Sequence, residues 1–206
     1  VPDSVVAYTW FDEYIYLFSA RDAPRYKVLR TPLKKPDYNN AEVVFGPSDL
    51  VYRYATRTKD RLYFSALDGG YNRLIEYNPV TGNSKQLPLP STESSYIFSS
   101  SRHLVDIYIS SNSWTHAGKD QLYNHLTGTL EELNLEPSGE FDNPGWLTSE
   151  RILVKSHDGV EVPLSLIYRK GLKLDGKNPT LLSGYGSYGS VNGVGYYTSR
   201  LPWLEK

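Results

Sequence analysis

The residues with the strongest claim to chemistry stand near the end of the 206-residue chain, in "PTLLSGYGSYGSVNGVGYY", Pro179 to Tyr197. Gly184, Gly186 and Gly189 spell G-x-G-x-x-G directly after the apolar run Thr180-Leu181-Leu182, and Val191 extends it to G-x-G-x-x-G-x-V. Glycines at this spacing can cradle pyrophosphate, provided that a helix opens at the third glycine and turns its N-terminus to the ligand. Gly189 leads instead into "SVNGVGYYTS", with two more glycines and no amphipathic period. Glu205 stands roughly where a ribose-binding acid would, with no second strand to carry it. A kinase loop needs a strand after it with a paired lysine, and Lys206 is the sole lysine beyond the loop. Gly176-Lys177 runs into Asn178 rather than Ser or Thr, so no phosphate loop of the G-x-x-x-x-G-K-[ST] kind occurs. The nucleotide readings are set aside, and the glycines and tyrosines need another purpose.

Hydrolytic chemistry on the residues present is also incomplete. A nucleophile elbow requires G-x-S-x-G, and neither Ser187 nor Ser190 has glycine at both minus two and plus two. His103, His116, His125 and His157 all fall in turns or loops, with no metal spacing and no evident serine partner. They are expected to be surface turn residues. No metal and no cofactor are implied.

The elements that must position this loop are strands. Short alternating runs bounded by Gly, Pro, Asn and Asp recur, as in "YIYLFSA", "LVYRYAT", "RLYFSAL" and "LVDIYIS", and no window before residue 170 carries a helical period. Strand follows strand, which predicts an antiparallel all-β region. "LFSARD" at Leu17 matches "YFSALD" at Tyr63, and "YNPVTG" at Tyr77 matches "YNHLTG" at Tyr123. Both pairs are offset by 46 residues (63 − 17 and 123 − 77), and "IYISS" at Ile107 falls near the third copy. A strand-built period in the forties is that of a four-stranded propeller blade. The Y-N-x-x-T-G segments predict hairpins between outer strands, with Gly82 and Gly128 at positive φ. A β-sandwich is the alternative. About three blades fit residues 1–135, fewer than a closed ring needs. The chain also has no methionine, not even at position 1. Both observations lead us to expect a processed product or a piece of a larger protein.

Beyond the blades, "EPSGEFDNPGW" (residues 136–146) has the Pro, Gly and acid content of a linker. Residues 147–206 open with two strands joined at His157-Asp158-Gly159, then a polar loop, then "TLLSGYG", read as a buried strand running into glycines. A net charge of −1 without a long basic run argues against nucleic acid or an anionic membrane as partner. No apolar run reaches the length of a membrane span. The lack of cysteine excludes disulfides and thiolate metal sites but leaves the compartment open, with a soluble, cytoplasmic setting expected ahead of a periplasmic one.

Taken together, D-G-x-x-V-P, K-G-x-x-x-D-G-x-x-P and G-Y-G-S-Y-G, in order behind a blade array, resemble the prolyl oligopeptidase family of serine peptidases, which includes prolyl endopeptidase and oligopeptidase B. The resemblance is strongest over Trp114 to Ser190. It implies a mainly β chain: a partial β-propeller followed by the first strands of an α/β-hydrolase domain. The activity implied is cleavage of short peptides after proline or a basic residue through an acyl-enzyme. By position, Tyr185 would donate its phenol hydroxyl to the oxyanion, and Tyr188 would line the substrate pocket. The family's catalytic Ser, Asp and His all lie beyond this loop, so the chain alone is expected to be inactive. Its partners would be short peptides and the remainder of its own propeller and catalytic domain. The rival reading is a non-catalytic, propeller-derived module that binds peptide or protein.

Overall fold

The computed structural model describes residues 4–205. Twelve strands form three four-stranded antiparallel sheets in which each strand pairs with its neighbour in sequence. The first sheet holds β1 (Val5–Phe11), β2 (Tyr14–Ser19), β3 (Lys27–Pro32) and β4 (Glu42–Phe45). The second holds β5 (Val51–Arg57), β6 (Leu62–Asp68), β7 (Tyr71–Tyr77) and β8 (Ser84–Gln86). The third holds β9 (Ser94–Ser100), β10 (Asp106–Asn112), β11 (Lys119–Asn124) and β12 (Thr129–Leu133). The internal repeats fall on equivalent strands, β2 and β6 for the first pair. The Y-N-x-x-T-G segments both join third to fourth strands. There Asn78 Oδ1 accepts from the backbone N–H groups of Val80 and Thr81 at 2.9 and 3.2 Å. Asn124 Oδ1 does the same for Leu126 and Thr127 at 2.9 and 3.3 Å. Gly82 and Gly128 close these turns at φ +75° and +71°.

Period-2 alternation explains why the sheets stack in sequence. In β6, Leu62, Phe64 and Ala66 face the first sheet and Tyr63 faces the third. Phe64 lies at the centre of the first interface, with the rings of Phe45, Phe18, Tyr77, Tyr16 and Tyr52 at 5.0 to 6.4 Å in edge-on or tilted arrangements. The second interface joins Tyr63, Leu74 and Leu87 to Ile107, Ile109 and Tyr123. All seven residues of β7 are buried, the polar ones included. Glu76 accepts a 2.7 Å hydrogen bond from the Tyr123 hydroxyl and pairs with Arg61 and Lys85 at 3.3 and 3.4 Å. Arg73 donates to the carbonyls of Glu93 and Ser91, each at 2.8 Å. These charged groups of the strand are thereby matched, as burial demands.

The first strand of each sheet carries a β-bulge, with Val6, Arg53 and Phe98 as the extra residues opposite β2, β6 and β10. Beyond the third sheet, β13 (Leu147–Lys155) and β14 (Glu161–Arg169) form a two-stranded ribbon. Gly159, at φ +84°, closes its turn, as the Asp-Gly pair predicts. The ribbon meets the second sheet through Arg151, whose guanidinium pairs with Asp68 at 3.2 Å and lies 5.6 Å from the Tyr71 ring. Asp68 also pairs with Arg73 at 3.5 Å. Tyr71, Trp114 and Val194 form a small apolar cluster here, and Ile167 of β14 packs on it.

One expectation fails. Thr180–Leu182 is neither strand nor buried: Leu181 and Leu182 are 78% and 77% exposed and pair with no strand. An apolar run becomes a buried strand only where other strands supply ladder partners and a cover, and none lies alongside it here. A short helix, α1 (Leu201–Leu204), closes the described chain. Among the described residues no helix is long and apolar enough to cross a membrane.

Candidate active site

The glycine loop runs without regular secondary structure from Ser183 to Val194, over the turns of the second and third sheets. Tyr185 is 54% exposed and its hydroxyl meets no other described residue. A Cβ at the flanking Gly184 or Gly186 would meet nothing within 4 Å, so the backbone on either side of Tyr185 is open. Two residues on, Ser187–Ser190 form a tight turn closed by a 3.0 Å bond from the Ser190 N–H to the Ser187 carbonyl. Its central residues, Tyr188 and Gly189, stand at φ +55° and +66°, the signature of a type I′ turn. Tyr188 is 97% exposed.

Two contacts, at Arg53 and at Val194, hold the loop to the sheets, and at Gly70 and Gly193 the loop passes close to them. Arg53 of β5 donates through Nη2 to the Gly189 carbonyl. A Cβ at Gly70 would lie 3.7 Å from the Asn192 carbonyl, and one at Gly193 3.6 Å from the Tyr96 hydroxyl. Val194 is buried against Tyr71 and Trp114. Within the loop, Asn192 Nδ2 reaches Ser183 Oγ at 3.4 Å. Tyr185 and Tyr188 thus share one exposed segment above the sheets. The Arg53 anchor is invisible in the sequence, where "LVYRYAT" reads as a plain alternating strand and gives no sign of the bulge.

Two histidines depart from the expectation of surface turn residues. The His125 side chain is 1% exposed; its Nε2 meets Asp60 Oδ2 at 3.0 Å and its Nδ1 meets the Val105 carbonyl at 3.2 Å. This ties a third-sheet turn to the β5–β6 turn. His116 is half-buried beside Glu93 at 3.5 Å, which raises its pKa. The His125 ring is buried between the second and third sheets, and His116 packs against the segment leading into β9, neither of which a turn assignment can foresee. Ser156 Oγ lies 3.3 Å from His157 Nδ1, but both are exposed neighbours in the ribbon turn, and among the described residues no third group orients the ring. Among the described residues no group of three His, Asp or Glu side chains could hold a metal.

Stacked four-stranded antiparallel sheets with in-register repeats are arranged as blades of a β-propeller, and comparison with known proteins narrows the class. No protein-family model matches the chain. The prolyl endopeptidase of Elizabethkingia meningoseptica is 27% identical over 199 residues, covering 93% of this chain and 27% of its own length. A solved structure from a study of two prolyl endopeptidases and their inter-domain dynamics superimposes with a TM-score of 0.83 at 23% identity, over 97% of this chain and 29% of that one. Prolyl oligopeptidase B from Galerina marginata, bound to a 35mer hydrolysis and macrocyclization substrate, gives 0.80 at 18% identity, over 96% and 28%. The relatives and structural neighbours of this chain are prolyl endopeptidases and oligopeptidase B, and its four-stranded sheets match the propeller of the prolyl oligopeptidases. The chain spans about a quarter of the length of the curated relatives it matches.

Proposed function

We propose that this chain is the propeller–hydrolase junction of a serine oligopeptidase that cleaves short peptides after proline or a basic residue through an acyl-enzyme. Residues 1–135 are the propeller blades, 136–146 the linker and 147–206 the opening of an α/β-hydrolase domain. Tyr185 is the oxyanion donor. The observation that carries this reading is a half-exposed tyrosine whose hydroxyl has no hydrogen-bond partner among the described residues, on a backbone left open at Gly184 and Gly186. A neutral phenol donates a hydrogen bond without introducing a competing charge, and its bond strengthens as the carbonyl oxygen becomes anionic. Tyr188 presents its ring to substrate from the adjoining turn. The nucleophile, base and orienting acid come from parts of the protein outside this chain, which alone does not hydrolyse peptides.

The test is Tyr185→Phe in the full-length enzyme on a short chromogenic peptide. Loss of one oxyanion donor lowers kcat by about 10²–10³. KM should change little, because the ground-state carbonyl is the weaker acceptor. A variant with near wild-type kcat takes the role away from Tyr185. The isolated chain should stay unlabelled by a fluorophosphonate probe, and stoichiometric labelling would reveal an activated serine within it.

A further inference from the structure

The structure assigns to Arg53 a positioning role: the bulge in β5 aims its guanidinium at the Gly189 carbonyl and so holds the turn that carries Tyr188 and follows Tyr185. The inference rests on the oxyanion reading of Tyr185 and extends it to a residue in the propeller, 132 positions earlier in the chain (185 − 53).

The argument begins with register. Tyr52 opposes Ala66 and Tyr54 opposes Ser65, so Arg53 is the unpaired extra residue of the bulge. A bulge rotates its extra side chain out of the alternation and re-aims it. The corresponding residues Val6 and Phe98 in the neighbouring sheets are exposed and carry no donor. Arg53 alone among the three can hold a carbonyl, and its Nη2 donates to that of Gly189.

The recipient needs such a hold. From Ser183 to Asn192 the loop makes no ladder, and its other hydrogen bonds to described residues stay within the loop. The turn also places Tyr188 in the left-handed region, which a non-glycine residue leaves unless its surroundings hold it there. A bond to the next carbonyl, at Gly189, opposes that relaxation. Tyr185 is four residues before Gly189, so movement of the turn moves the phenol. Where a donor must meet a developing oxyanion, a displacement of about 1 Å can lower the rate by about 10²-fold.

The experiment is a double-mutant cycle in the full-length enzyme, with kcat and KM on a short chromogenic peptide and deuterium exchange over residues 186–193. Arg53→Ala is expected to lower kcat about 10- to 100-fold with little change in KM, and to speed exchange in the loop. Arg53→Lys, which keeps a donor, should recover most of the rate. Arg53→Met, which keeps the stem but not the donor, should not, and it serves where the alanine variant folds poorly. In a Tyr185→Phe background, Arg53→Ala should cost little further rate, since both act through one hydrogen bond. Multiplying losses in the double variant, or unchanged kcat and exchange in Arg53→Met, would overturn the assignment. Near wild-type kcat for Tyr185→Phe would instead remove the oxyanion reading, with the exchange measurement still deciding whether Arg53 pins the loop.

Discussion

At the scale of the residue, Tyr188 and His116 show side chains whose placement costs stability or depends on pH. Holding Tyr188 at φ +55° costs about 1–2 kcal/mol relative to a right-handed conformation, and its ring recovers none of that by packing. A residue kept there for its ring should tolerate Tyr188→Phe in the full-length enzyme with little change, whereas Tyr188→Ala should mainly raise KM. Equal, slight effects of both on KM would leave the ring without a substrate. His116 makes a different kind of contribution. Its pKa is raised chiefly by the hydrogen bond to Glu93, and also by the Ala117 carbonyl at 2.8 Å, against the opposing effects of burial and Lys119. A raised folded-state pKa means that protonation favours the folded form. The stabilisation is complete below the unfolded value of about 6.5 and fades as pH rises through the folded one. Thermal melts from pH 5.5 to 8.5 should show His116→Gln narrowing its deficit against the parent as pH increases. A pH-independent deficit would assign the residue to packing alone.

At the scale of the element, the hairpins that close the second and third sheets are one device used twice. An Asn side chain gathers two backbone donors, and the glycine after it turns the chain back at positive φ. A Cβ at Gly82 or Gly128 would meet nothing within 4 Å, so replacement costs backbone energy without a clash. Gly82→Ala and Gly128→Ala should each destabilise by about 1–2 kcal/mol, read from the denaturant midpoint at unchanged m-value. The near-equality is the informative part, because it comes from structural equivalence of the two turns. A large difference between them would mean that one turn is held by something besides its own backbone.

At the scale of the whole molecule, the sheets at the two ends differ from the one between them. The second sheet is covered on both faces, whereas Val6, Tyr8, Trp10 and Val43 leave an apolar surface open on the first. Patches of this kind drive association in water. The isolated chain should therefore self-associate with rising concentration, and Tyr8→Lys combined with Trp10→Lys should shift sedimentation towards the monomer. A parent chain that stays monomeric at high concentration would contradict this. The ribbon is attached to the sheets by few groups: Arg151 and Arg73 share Asp68 around the Tyr71 ring, with Ile167 packed close by. Half-exposed ion pairs of this kind contribute about 1 kcal/mol or less each.

Much of this architecture was legible in the linear chain because it depends on local pattern. Alternating apolar residues, turn residues at fixed offsets and the 46-residue repeat specify sheets, hairpins and their succession, and the structure places the repeats on equivalent strands. The Asp-Gly turn of the ribbon is equally local. The tertiary structure decided what depends on neighbours far away in sequence. Thr180–Leu182 has a strand's composition but no strand beside it, so it stays irregular and exposed. His125 has a turn's context but reaches Asp60, 65 residues earlier, and is buried by it. Arg53 sits in an alternating run, yet a one-residue bulge turns it towards a carbonyl 136 residues later. Local geometry comes from residue type and spacing, whereas ladder partners, burial and long-range hydrogen bonds are settled only once the sheets have packed.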